Sequence, residues 1–396
     1  MHAHGLNRTT SHSSISIRFP TLLICWFIGA IILGQIGPAT PLKWIIYTTP
    51  LVALMAHAVA SFRFGERLER GPAFAFLAYA LAVFGTLMSR TQFDYYMVRD
   101  ITFIFGAIIT CVQPLQPQHR DVRFLLLGLF LTLITAIIFG NVAFEDTFNI
   151  LSSRGGAETS LSFAFGAIFI YFCLAKDWRW AILAGLLTLI TFKRGALLAI
   201  FVVLSIHFFL QSMPGLTHFL RRTTRSLFPI AIFAFATLAA LYLNEIATVI
   251  VHYLDPYDSS NRFTMGRIML SSIVGWHFQN SPWISYLFGH GPGTAELLLT
   301  QSLGQTMLPH NDYLKMLYEY GVVGAPLVCF TIYALFGTTS IGRRLLFYTA
   351  ILFITDNLLI YYYYLFTCII LSRVRPPLPA ARTHGNAHVD RIAQTA

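Results

Sequence analysis

At 396 residues, 56% hydrophobic and only 11% charged, with a mean hydropathy of +0.64, the chain has the composition of a membrane-embedded protein rather than of a soluble globule. Its 27 Lys and Arg against 17 Asp and Glu give +10, but these bases punctuate long apolar runs, so the charge reads as topology and no nucleic-acid partner is expected. Cys25, Cys111, Cys173, Cys329 and Cys368 all fall in apolar segments without Cys-x-x-Cys spacing, which argues against a disulfide framework and a thiolate zinc site.

Crossing a bilayer takes about 20 mostly apolar residues. Runs of that kind are predicted near 19–37, 42–62, 72–89, 96–116, 123–140, 158–175, 178–192, 195–211, 226–244 and 312–336, with a further apolar stretch at 345–372. The expected fold class is an all-α polytopic membrane protein of about 11–12 transmembrane helices with one long periplasmic loop. Its divisions are an N-terminal tail (1–18), nine spans (19–244), the long loop (245–311), the C-terminal spans (312–372) and a polar tail (373–396). With the N-terminus inside, the tails and alternate loops hold 18 of the 27 bases and only five acids, as the positive-inside rule requires. An inside C-terminus then asks 345–372 to pass twice, with Asp356-Asn357 at the turn; one long tilted helix with a buried Asp356 is the alternative.

Within this frame a few polar residues stand out. Arg99 and Asp100 are adjacent inside the fourth span, where ionisable groups must be paired or face a cavity. Arg154, in Ser153-Arg154-Gly155-Gly156, lies on a short outer loop as a candidate substrate contact or a solvated charge. Lys193-Arg194-Gly195 puts two bases in a tight outer turn, against the rule that orders the others. A guanidinium there can grip phosphate with its planar fork, while the bland reading has both side chains reaching lipid headgroups.

The long loop carries Arg262, Gly266-Arg267, a helical stretch from Ile268 to Phe278, and Gly289-His290-Gly291-Pro292-Gly293. That glycine pattern follows no strand, so it suits close backbone approach to a ligand or a neighbouring helix better than dinucleotide binding. The loop closes on Pro309-His310-Asn311-Asp312-Tyr313-Leu314, which places His310 and Asn311 at the N-terminal lip of a span. An imidazole there suits a general base beside an anion, and a helix-capping Asn next to a solvated His is the structural alternative. Asn311, Lys315 and Glu319, four residues apart, share one helical face that must look into the protein.

Taken together, the Lys/Arg-Gly turn, Gly266-Arg267, Gly-x-Gly-Pro-Gly and Pro-His-Asn-Asp-Tyr-Leu followed by Glu319-Tyr-Gly-Val-Val-Gly324 resemble the O-antigen ligase and polymerase family over about 185–335. Members are bacterial inner-membrane enzymes. The resemblance implies a metal-independent, inverting glycosyltransferase, without cofactor, that draws glycan from a polyprenyl diphosphate at the periplasmic face. The family's base maps on His310 and its two arginines on Arg194 and Arg267, with Arg262 the second candidate for the loop position; Ser271 stands where a tryptophan often occurs. Lys193, Arg262, Asn311 and Arg154 are the expected substrate-binding residues.

The residues fit this chemistry independently. Fixed guanidinium groups stabilise the charge that develops on a leaving diphosphate, and no Asp/Glu pair in the loop has metal-ligand spacing. The leading expectation is an exopolysaccharide or O-antigen polymerase, with a glycan as acceptor. A ligase that uses lipid A core as acceptor shares the chemistry. A lipid-linked sugar flippase is expected to show paired halves, which this sequence lacks.

Overall fold

The computed structural model describes residues 18–36, 45–46, 48–64, 70–89, 94–111, 116–142, 145–149, 154–156, 159–212, 267–305, 307–337 and 339–374. The predicted span at 226–244, the first third of the long loop, Arg262, and the tails at 1–17 and 375–396 lie outside these residues. The described chain is a bundle of helices: α1 (Phe19–Ile36), α2 (Thr49–Phe64), α3 (Arg70–Thr86), α4 (Tyr95–Thr110), α5 (His119–Ile138), α6 (Leu161–Ala175), α7 (Trp178–Ile190) and α8 (Arg194–Ser212). It continues with α9 (Arg267–Gln279), α10 (Trp283–Phe288), α11 (Thr294–Leu303), α12 (Asp312–Phe336), α13 (Ser340–Thr355), a 3₁₀ turn (Leu358–Ile360) and α14 (Tyr362–Ser372).

Among the described residues, α1, α5, α8 and α12 are long and apolar enough to cross a membrane, at 18, 20, 19 and 25 residues. Their outward faces carry large apolar side chains such as Leu22, Ile138, Phe201 and Phe330, all exposed. One departure from an all-α chain is the connection from α5 to α6, where β1 (Glu145–Asn149) pairs antiparallel with β2 (Arg154–Gly156). This stretch has no apolar helical stripe, and a short ladder satisfies backbone groups that a loop would leave unpaired.

α6 is the buried centre, with residues from Leu161 to Cys173 inside on nearly every face. α3 lies along α12 through a small-residue face, where Ala75 and Ala82 are buried and Thr331 Oγ1 donates to the Ala75 carbonyl at 3.3 Å. Tyr79 and Tyr320 join the same pair hydroxyl to hydroxyl at 2.9 Å.

The stretch 345–372 forms two antiparallel helices. Thr339 Oγ1, at the start of α13, donates to the Ser372 carbonyl at the end of α14 at 2.9 Å, and Thr349 bonds Tyr364 at 2.6 Å midway. Asp356 to Tyr361 form the tip of this hairpin. At about 1.5 Å per residue, the 11 residues of α14 extend only about 16 Å.

The helix ends sort the charges. Arg18 meets Asp121 at 2.5 Å, Arg123 meets Asp177 at 2.6 Å, and Arg373 donates to the Cys111 carbonyl at 3.1 Å, all at the end where α13 starts and α14 finishes. Lys193, Arg194 and Arg267 lie at the opposite end, with the hairpin tip.

Candidate functional site

Four segments distant in sequence meet at the hairpin tip. The chain enters α12 through His310, whose φ of 50° places a non-glycine residue in the left-handed region, and Asn311, whose side chain caps Leu314 N at 3.0 Å. The cap takes over the first orphan N–H, so His310 projects from just before the helix. Its side chain is 32% exposed, while its Nδ1 is buried and faces Asp356 Oδ1 at 3.7 Å, an ion-pair approach longer than a hydrogen bond. A carboxylate opposite Nδ1 favours the tautomer protonated there and leaves the lone pair on Nε2.

Asp356 closes α13 and is buried; its Oδ1 accepts the Asn357 N–H at 2.9 Å. Burial pushes its carboxyl up, but the His310 imidazole, the Asn357 N–H and the Lys193 ammonium together hold it below the ordinary carboxylate value. Arg267 opens α9, and its Nη1 donates to the Thr355 carbonyl at 2.9 Å, a cation set on the negative end of α13. Arg194 opens α8 beside Gly195, where an added Cβ would come within 2.7 Å of Thr355 Oγ1. The Thr355–Asp356 corner thus meets the side chains of Lys193, Arg267 and His310, and the backbone that begins α8 at Arg194-Gly195. Lys193 acts on the buried Asp356 carboxylate, Arg267 bonds the carbonyl beside it and Arg194 follows Lys193 in the chain, so the residues bordering this acid bring an excess of positive charge suited to an anion.

The remaining sequence candidates fall elsewhere or deeper. Asn311 is buried, its oxygen committed to the cap and its Nδ2 without a hydrogen-bond partner. Arg154 begins β2. Arg262 lies outside the described residues. Asp356 is a site residue that the sequence does not single out, since there it marks a turn or a buried acid in a tilted helix; its one signal is an acid in the middle of an apolar stretch.

A second polar centre lies further along α12. Lys315, on the same face as Asn311 and Glu319, pairs with Asp100 at 2.5 Å and stands 3.8 Å from Glu319. Arg99 bonds Glu296 at 2.6 Å and Asp100 at 2.8 Å. Every member is buried or nearly so, so each charge depends on its partners for solvation. This centre ties α4, α11 and α12 together, which accounts for the ionisable pair inside the fourth helix.

The glycine-rich segment before α11 completes the frame. α12 is broken at Gly321 (φ 68°, ψ −178°), and the freed carbonyls of Tyr318 and Glu319 accept the N–H groups of His290 and Gly291 at 2.9 Å each. A Cβ on Gly289 would sit 2.2 Å from the Glu319 carbonyl oxygen, and one on Gly321 would sit 2.3 Å from that of Leu287. These glycines therefore serve close approach to a neighbouring helix. His290 stacks on Tyr318 at 4.4 Å and bonds Ser281 at 2.7 Å.

Comparison with models of known protein families finds no match, and comparison with curated proteins finds none either.

Proposed function

We propose that this chain is a multi-pass inner-membrane glycosyltransferase of the O-antigen ligase and polymerase kind, joining lipid-linked glycan units at the periplasmic face. The observation that supports the reading is the meeting of Lys193, Arg267 and His310, from three distant segments, around the Thr355–Asp356 corner, with Arg194 next to Lys193 at the start of α8. These bases sit at the end of the bundle opposite to Arg18, Arg123 and Arg373, the end that the positive-inside rule assigns to the outer side.

In this reading the polyprenyl diphosphate lies against Arg194 and Arg267, with Lys193 adding charge at the rim. The acceptor hydroxyl approaches His310. As its oxygen bonds to the anomeric carbon, Nε2 takes the hydroxyl proton, and the carbon–oxygen bond to phosphate breaks from the opposite side of the sugar. The electron pair goes to the phosphate oxygen, where the two guanidinium groups meet more charge in the transition state than in the ground state. Asp356 stabilises the imidazolium as it forms and acts through His310 alone. Membrane lipids surround the apolar faces, and the acceptor is a growing glycan.

Deletion and complementation test this in a strain that makes the polymer. Loss of a polymerase leaves at most single repeat units on surface-glycan gels, whereas loss of a ligase strips lipid A core while long lipid-linked chains accumulate. His310→Ala, Arg194→Ala and Arg267→Ala are expected to abolish polymer with the protein still in the membrane. Normal chains in all three variants refute the mechanism.

A further inference from the structure

Asp312 follows the Asn311 cap and is fully buried, yet the reaction outlined above makes no use of it. Its Oδ2 accepts two backbone N–H groups from across the bundle, Leu358 at 2.5 Å and Leu359 at 3.1 Å. These residues open the 3₁₀ turn, and N–H groups at the start of a helical turn have no partner within it. They also follow directly on Asp356 and Asn357. One carboxylate oxygen thus ties the helix that His310 precedes to the tip that carries Asp356, across 46 residues of sequence.

The joint is polar on both sides and buried. Asn311 Nδ2, Asp312 Oδ1 and both amide atoms of Asn357 are buried without a hydrogen-bond partner, as is His310 Nδ1. An apolar seam holds two helices together at lower cost, because each unpaired polar atom loses its hydration for nothing. None of these atoms is open to solvent. What the joint offers is direction: two N–H···O bonds on one oxygen fix the tip to hydrogen-bond geometry, where packed leucines allow it to slide.

We propose that Asp312 is a positioning residue: by holding the Leu358 and Leu359 N–H groups it sets the Asp356 carboxylate opposite His310. The proposal rests on His310 as the base, and its test has one arm that does not depend on transfer.

That arm is backbone amide exchange, read by mass spectrometry on peptides spanning 356–361, with the full chain in lipid nanodiscs. Asp312→Asn keeps a carbonyl oxygen that can accept both N–H groups and should exchange as wild type does. Asp312→Ala, with Asp312→Ser as second truncation in case the first does not fold, should speed exchange there by about tenfold or more. In the transfer arm, truncation should lower kcat by about 10- to 100-fold with KM for the donor within about twofold, while Asp312→Asn stays within about threefold of wild type. Truncation in an Asp356→Asn background should cost nothing further. Unchanged exchange on truncation overturns the proposal, and so does equal impairment of Asp312→Asn and Asp312→Ala, or full additivity with Asp356→Asn. Wild-type protein that exchanges as expected but transfers no glycan refutes the glycosyltransferase reading and leaves the joint established.

Discussion

Asp356→Asn removes a charge and almost no volume from the candidate site, which makes its effect calculable. Two unit charges at the observed 3.7 Å interact by about 4.5 kcal/mol at an effective dielectric constant of about 20. Water reaches the exposed third of His310, and screening of this kind cuts the interaction to about half, near 2 kcal/mol. That energy acts only when the imidazole is charged, so it falls on the transition state and predicts a loss of about 30-fold in kcat. KM for the donor should hold, since Asp356 lies behind the base. The assay is steady-state transfer from a polyprenyl-diphosphate oligosaccharide by purified protein, with His310→Ala as a second background. Because Asp356 works through His310, adding Asp356→Asn to His310→Ala should cost nothing more. Wild-type kcat in Asp356→Asn, or its full factor recurring in the His310→Ala background, refutes the dyad.

Other expectations concern the frame. Gly289→Ala and Gly321→Ala force a Cβ to 2.2 and 2.3 Å from backbone carbonyl oxygens at positive φ, and each should cost more than about 3 kcal/mol, read as loss of folded protein in detergent. Gly275→Ala, with nothing within 4 Å of the added Cβ, should be neutral or stabilise by up to about 1 kcal/mol, and serves as the control. Lys315→Met leaves buried Glu319 without its cation and Asp100 with Arg99 alone, and should destabilise by about 3–5 kcal/mol in denaturant titration, with partial recovery when Glu319→Gln is added. At the other end, burial works against the Asp177 carboxylate, but hydrogen bonds from His119 and Arg123 outweigh it and hold the carboxyl below its usual value. The stability this contributes is complete above the unfolded value near about pH 4 and is lost as pH falls through the lower folded value. The gap in Tm between wild type and Asp177→Asn should therefore narrow below about pH 4, and a gap independent of pH contradicts the assignment.

Much of the frame is legible because a membrane helix declares itself locally: about 20 apolar residues read as a span whatever lies around them. The charges at the helix ends are legible for the same reason; Lys193, Arg194 and Arg267 stand out as bases on the face that topology assigns few, and His310 by its place at the lip of a span. What meets what is not a local property. Asp356 reads as a turn marker until the hairpin brings it to His310, and Glu296 reads as an ordinary helical acid until α11 packs on α4 and presents it to Arg99. The break in α12 is hidden as well, since Gly321 lies in a run that continues as helix on either side and only the docked loop at Gly289 explains its φ. The strand pair at Glu145–Gly156 is missed because short ladders in polar segments leave little periodicity to count.

In the proposed mechanism Arg194, Arg267 and His310 transfer glycan from a polyprenyl diphosphate without a metal. The most direct measurement is reconstitution of the purified chain in lipid with a polyprenyl-diphosphate glycan and candidate acceptors, with and without chelator. The expected product is a transferred glycan of inverted anomeric configuration, formed equally well in chelator and lost in His310→Ala. A product of retained configuration, transfer abolished by chelation, or full activity in His310→Ala contradicts the mechanism.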